Sequence, residues 1–384
     1  MIEYYKNFLV HLCIMYVSVS AACTQDAAYL NFSQNRFLFN PSLTGIQGAQ
    51  SYKFRSKLEW NNDGGQGYKT ISLLYEETVP CSILDVGLKL NYNEEGAGLY
   101  RTMEFGFLSA AFVPISKSQF SDHNLRIGVD FSWGLNSIDF SRLVWSDQLD
   151  AKYGVIFPTS FIPPNEGRSN LYMNPGLGMS FRSLWNKKSA KAVMTNVGLA
   201  MYRFYSSDQG EINQSVSVLG LRSPNPYRMS AFAEMEFIPL YYGRRFLSIR
   251  PTMVYQKQGT IHYIETGLRA GYLRHAGVGC YYHTVPGNTP GQTRWVTLST
   301  DFMIPAGNGK MLEFSLSWSE NIGGLQNFVG PQFEFGISYH LSGSNLCKLM
   351  GMEDDVPYNQ TYKCPIMSQT PGKRKMYENI WYEN

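Results

Sequence analysis

The 384-residue chain is poor in charge: Asp, Glu, Lys and Arg make up 16% of it, against about 25% in an average soluble domain. The charge it has nearly balances, 33 basic residues against 30 acidic, so no field favours nucleic acid and none is expected as a partner. Cysteine is scarce too, and its six copies are spread too thinly for a disulfide scaffold or a zinc site. Beyond the N-terminus no apolar run approaches the roughly 20 residues that a membrane helix needs, which excludes a helical membrane bundle. Enzyme signatures are missing: there is no HExxH, GxSxG, Walker A or EF-hand spacing. His123, His262, His275, His283 and His340 stand in separate segments, not at ligand spacing. The expectation is a protein without catalytic residues, metal or cofactor.

What the chain does have is aromatic residues and glycine. Tyr, Phe and Trp reach 15%, and there are 35 glycines. That content excludes disorder and points to a β-rich protein. The first residues read as an export signal, with Lys6, an apolar core from Phe8 to Val17, and small residues at Ser20-Ala21-Ala22. Residues 1–24 are therefore predicted to be removed, by cleavage near Cys23 or after Thr24. Lipidation at Cys23 stays open, although Ser20 stands where a lipobox usually has Leu. A bond between Cys347 and Cys364 also stays open, since spacing alone does not decide it.

A strand in a membrane barrel must turn apolar side chains to lipid and polar ones to the lumen, with period two. Leu312, Phe314, Leu316 and Trp318 alternate with Glu313, Ser315, Ser317 and Ser319. Phe333, Phe335, Ile337 and Tyr339 do the same against Gln332, Glu334, Gly336, Ser338 and His340. Leu125 to Asn136, Leu84 to Asn93 and Tyr52 to Trp60 repeat the pattern, with Ser56 the one polar intruder. A helix would need apolar residues three to four apart, and these segments do not have them.

About fourteen such strands can be counted. They lie near 51–60, 68–76, 83–92, 101–113, 124–136, 169–183 and 190–203, then 227–237, 246–256, 261–272, 276–283, 294–303, 310–319 and 331–341. Even parity puts both termini on one side, the periplasmic side in a bacterial barrel. The two longest connections, 137–168 and 204–226, then fall outside, and short turns such as 114–123, 238–245 and 304–309 fall inside. A soluble β-sandwich would alternate in the same way. The export signal, the loop asymmetry and a girdle of Trp60, Tyr92, Trp133, Trp318 and Tyr339 favour the barrel. The expected fold is thus an all-β transmembrane antiparallel barrel over 51–341, preceded by a lead-in or plug at 25–50.

After Leu341 the alternation stops, and residues 342–384 read as a periplasmic tail, either a solvated extension or a docking segment. On the polar faces stand Arg126, Asp130, Glu234, Glu236, Arg250, Glu265, Arg269, Glu313 and Glu334. Their mixed signs predict ion pairing across the bore rather than an ion-selective field, although a hydrated or ligand-holding lumen stays open. Ser338 and His340 share a face without an evident orienting acid, which does not make a hydrolase. Gly176-Leu177-Gly178 reads as strand-edge glycine, not a phosphate loop.

One stretch carries a resemblance. Gln25-Asp26, Phe32-Ser33-Gln34 and Asn40-Pro41-Ser42-Leu43-Thr44-Gly45 are similar to the N-terminal signature of the PorP/SprF family of type IX secretion membrane proteins. Ala27 replaces the usual Pro and Ser42 the usual Ala, while Asn40, Pro41 and Gly45 match. Asn93-Glu94-Glu95-Gly96, Leu125–Val129, Pro175–Gly178, Arg250–Tyr255 and the closing strand Phe333–His340 add short matches. The two long insertions and the tail after Leu341 depart from the family pattern. The resemblance implies an outer-membrane barrel that supports secretion or surface anchoring of adhesins and cargo with type B C-terminal domains, often in gliding bacteria. Its implied partners are that cargo domain, the periplasmic and motor components of the system, and membrane lipid. The other reading is an outer-membrane solute channel.

Overall fold

The computed structural model describes residues 29–350, apart from 49, 60–66, 80–81, 119–120, 164–166, 170, 187–192, 205–216, 220–225, 243–244, 273–274, 287–292, 308–309, 324–329 and 342. The signal segment, Trp60, Cys81, Cys364 and the tail from 351 onward lie outside the described residues. The first barrel strands are β1 (Gln50–Glu59), β2 (Tyr68–Glu77), β3 (Leu84–Glu95), β4 (Tyr100–Lys117) and β5 (Ser121–Ser137). A two-stranded ribbon, β6 (Leu149–Asp150) and β7 (Gly154–Val155), sits in the following connection. The wall continues with β8 (Tyr172–Trp185), β9 (Val193–Tyr202), β10 (Arg228–Tyr242), β11 (Arg245–Gln258) and β12 (Ile261–Tyr272). It is completed by β13 (Ala276–Val285), β14 (Thr293–Pro305), β15 (Met311–Asn321) and β16 (Gln332–Leu341).

Fourteen of these strands form one closed antiparallel sheet, β1 pairing with β16 over the full length of both. Closure leaves no edge, the condition for placing a sheet in hydrocarbon, where an unpaired backbone group has no water to bond. Period two decides which face is which. Along β15, Met311, Glu313, Ser315, Ser317 and Ser319 are buried, while Leu316 and Trp318 are exposed on the outside. Leu73, Phe105, Phe335 and Phe302 extend the outward apolar surface around the wall. Among the described residues no helix is long and apolar enough to cross a membrane.

Two turns are tighter than their sequence suggests. β4 runs on to Lys117 and β5 starts at Ser121, although the alternation stops reading at Pro114. β10 likewise runs past Pro239 to Tyr242. Pro removes a ladder donor and so reads as a strand end. Here the register shifts between Pro114 and Ser116 and between Phe237 and Leu240, and a bulge absorbs each irregularity while the strand continues.

The tail also begins differently from a featureless extension. Ser344 caps a short helix, Asn345–Leu349, by accepting from the Cys347 amide. The Glu77 carboxylate at the end of β2 receives the Ser344 hydroxyl at 2.5 Å and the Leu346 amide at 2.9 Å. Cys347 is fully buried and disulfide-bonded, whereas Cys280 is a free thiol on the outer face. The helix escapes a periodicity reading because it is barely one turn long.

Candidate functional site: a bore filled by the N-terminal segment

Residues 29–48 run inside the barrel rather than away from it. Phe32, Phe39, Leu43 and Ile46 bury themselves with Phe232 of β10 and Val254 of β11. Phe37 joins Leu74 of β2 and Leu108 of β4. Burying each large apolar side chain contributes about 1.5–3 kcal/mol. The polar atoms are matched to the wall at many points around the ring. Glu334 of β16 takes the Leu30 amide at 2.6 Å and the Asn35 amide group at 2.7 Å. Arg36 pairs with Glu234 of β10 at 3.0 Å. Arg55 of β1 donates to the Gln34 side chain at 3.2 Å, and Ser230 of β10 donates to the Phe39 carbonyl at 2.7 Å.

The Asn-Pro block makes the closest fit. Asn40 is the N-cap of a single 3-10 turn, Pro41–Leu43, its side-chain oxygen accepting the Ser42 amide at 2.9 Å. Pro at the first helical position suits that turn because it has no amide hydrogen to satisfy. The Asn40 Nδ2 then bonds the wall itself, to the Leu199 carbonyl at 3.0 Å and the Met179 carbonyl at 3.3 Å. The wall offers a notch at this place. Gly128 of β5 and Gly178 of β8 are direct cross-strand partners, and both face inward. A Cβ on Gly178 would stand 2.1 Å from the Asn40 side-chain oxygen, and one on Gly128 would stand 2.2 Å from the Ser42 nitrogen. Only hydrogen leaves room for the segment's backbone. Gly178 therefore sits at mid-strand beneath Asn40-Pro41, which corrects its reading as a strand-edge glycine.

Arg126 and Asp85 finish the latch. Arg126 donates to the Ser42 carbonyl at 2.8 Å and to the Thr44 carbonyl at 2.5 Å, and pairs with Asp85 at 2.8 Å. Gly45 has φ +70°, a left-handed conformation that favours glycine. Its amide donates to Glu76 at 2.8 Å, and its carbonyl accepts from the Thr78 hydroxyl. Three separate stretches of sequence, Asn40–Gly45, Arg126–Gly128 and Gly176–Gly178, thus meet at one point.

The polar-face residues named from the sequence all line the lumen, but their partners are not across it. Asp130 pairs with Lys89 at 2.6 Å, Glu236 with Arg250 at 2.9 Å, and Arg269 with Asp301 at 2.5 Å. Glu265 accepts from the Tyr263 hydroxyl at 3.0 Å. Glu313 bonds His340 at 2.9 Å. The middle of the bore is occupied by residues 29–48, so each charge meets that segment or a strand one or two places along the wall. His340 has an acid after all, yet Ser51, not Ser338, completes the row, with its hydroxyl 2.8 Å from Nδ1. Ser51 and His340 are fully buried in the wall. Ser338 instead receives Arg55 at 2.9 Å. Among the described residues no cluster of His, Cys, Asp and Glu could hold a metal ion.

A closed antiparallel wall, apolar outside and polar within, is an outer-membrane-type β-barrel, here with its own N-terminal segment in the bore. Residues 21–348 match the family described as type IX secretion system membrane protein PorP/SprF, and the chain belongs to that family. The match runs past Leu341 through most of the capped helix, so that helix lies within the family pattern and is no departure from it. No curated protein matches the chain. Solved structures of similar fold include the CymD monoaromatic hydrocarbon channel, 12% identical over 82% of this chain and 94% of that one, with a TM-score of 0.40. Omp33 of Acinetobacter baumannii is 8% identical over 78% of this chain and 100% of its own, with a TM-score of 0.38. Likeness at this level says nothing of what binds to or passes through this chain.

Proposed function

We propose that this barrel supports secretion or surface anchoring of adhesins and other cargo with type B C-terminal domains, acting as a docking component and not as a solute channel. The observation that carries the reading is the filled bore: residues 29–46, all but the half-buried Ser33 and Leu38, are buried across the lumen and latched at Asn40-Pro41. Cargo or partner is then engaged through the connections at the rim. The connection after β5 supports this, because it is folded. Asp139 bonds Gly98 of the neighbouring turn at 2.8 Å, and Trp145 stacks on Phe161 at 4.1 Å. That fold holds Tyr153, Val155, Ile156 and Ile162 out in the open, an apolar display of the kind that marks protein contacts.

In this reading residues 1–24 are removed on export, the termini face the periplasm and the long connections face outward. The tail from 342 onward then meets periplasmic or motor components, in a gliding organism those that drive movement. Nine inward residues, from Arg126 and Asp130 to Glu313 and Glu334, serve to hold the filled bore. The test is paired. Purified protein in planar bilayers should stay closed, and pull-down from native membranes should recover a secreted protein with such a C-terminal domain. Steady open conductance without cargo would instead support a solute channel.

A further inference from the structure

The outer face of the wall has a depression at β10. Its outward side chains run Met229, Ala231, Ala233, Met235, two methyl groups between two long thioethers. The register sets Leu199 and Tyr255 beside Ala231, and Val197 and Met253 beside Ala233. The alanines, with Gly198 of β9 beside them, thus lie at the floor of a trough, with longer side chains as its banks. Phe181 and Met179 of β8 extend one bank, and the depression, open on its outer side, holds about 330 Å³. That lies within the range of small-ligand pockets, about 300–1,000 Å³.

We propose that this trough binds a single acyl chain of a membrane lipid, a site separate from the filled bore and from any cargo surface. The trough opens onto the outward apolar band, so it is continuous with the surface that hydrocarbon already covers. Its lining offers little to a polar ligand, since the Tyr255 hydroxyl is already bonded to His262 at 2.8 Å. A buried polar group placed there would go unpaired. It lies across the outward faces of β8 to β11, between Met179 and Phe181 on one side and Met253 and Tyr255 on the other, and this apolar lining fits hydrocarbon. Directly behind the floor, Phe232 packs on Phe32 of the inner segment at 5.1 Å, and Gly198 leaves room for that ring. The floor is therefore a single backbone thick.

The test is photolabelling of the full chain in phosphatidylcholine vesicles containing phosphatidylcholine with a diazirine in its acyl chain, read by mass spectrometry. Labelling along Ala231, Ala233 and Met253 should exceed severalfold that at Leu316 and Phe335, which face the same hydrocarbon from the other side of the barrel. Filling the floor with Ala231→Leu and Ala233→Leu should bring it down to that reference. Leucine suits the lipid face, and heat-dependent gel mobility checks that the variant still folds. Even labelling around the wall, an unchanged yield in the folded variant, or protein–protein crosslinks at these positions in place of lipid adducts would each overturn the proposal. The wild-type comparison decides the matter by itself should the variant fail to fold.

Discussion

Two arcs of the inner wall have the same problem and solve it differently. Both carry inward glycines, hence empty space at the wall. Across β12 and β13 the wall fills that space with its own long side chains. Tyr281 lies over Gly267 and Gly279, and Arg269 lies over Gly277 on its way to Asp301. Across β5 and β8 the space over Gly128 and Gly178 is filled by the backbone of Pro41-Ser42 and the side chain of Asn40. One arc is stiffened by itself, the other only by a segment that is distant in sequence. Glycine content alone does not distinguish a self-packed wall from a seat. What distinguishes them is whether a neighbouring strand supplies a side chain long enough to cover the gap.

The sharpest way to break the comparison is to fill both gaps. Gly178→Val should expel Asn40-Pro41 and turn a closed protein into one with steady conductance in planar bilayers. Gly279→Ala meets the Tyr281 ring and the Ser299 hydroxyl, both side chains of the wall itself, so it should leave the bore closed. Arg126→Ala comes next. It leaves Asp85 buried without its guanidinium and frees the Ser42 and Thr44 carbonyls, and breaking a buried pair costs about 3–5 kcal/mol. Arg269→Ala acts on a more exposed pair, with side chains 15% and 11% exposed, so it should lower the unfolding temperature by less. Asn40→Ala removes the cap and two bonds to the wall, a loss of about 1–3 kcal/mol. It should show as faster hydrogen exchange over residues 38–46 while the strands keep their protection.

The smallest effect belongs to the rim. Asp147 accepts the Ser160 amide at 2.7 Å, then the Ser160 and Thr159 hydroxyls, and these bonds hold its carboxyl below the usual range. Asp139 is lowered in the same direction, first by the Ser141 hydroxyl. Groups lowered on folding stabilise the loop above the ordinary Asp value of about 3.9 and lose that contribution as pH falls through the folded value. Proteolysis of residues 139–161 should therefore accelerate only in strong acid, with the barrel itself unaffected.

The strand wall is legible in the sequence because hydrocarbon on one side and a polar bore on the other enforce period two with little exception. Ser56 is tolerated, and the girdle positions Tyr92, Trp133, Trp318 and Tyr339 face outward. Strand ends at Pro114 and Pro239 are misread because a missing donor reads as a stop, although a bulge lets the strand go on. Which side chains face inward also follows from the period. What they touch does not. Asn40 meets carbonyls 139 and 159 residues away, and nothing local to Gly128 or Gly178 announces what occupies their missing side chains. Ser51 beside His340 is equally invisible, since it joins the first strand to the last.

The central claim is that residues 29–48 occupy the bore with Asn40-Pro41 seated on the glycine notch. Its most direct test is a disulfide between positions 42 and 180, whose hydroxyl oxygens lie 2.8 Å apart. In a Cys280→Ser background, Ser42→Cys with Ser180→Cys should oxidise almost completely in the folded, membrane-embedded protein and leave it non-conducting. Free thiols at positions 42 and 180, labelled by a water-soluble maleimide and located by peptide mass spectrometry, in a barrel that folds and conducts, would contradict the account.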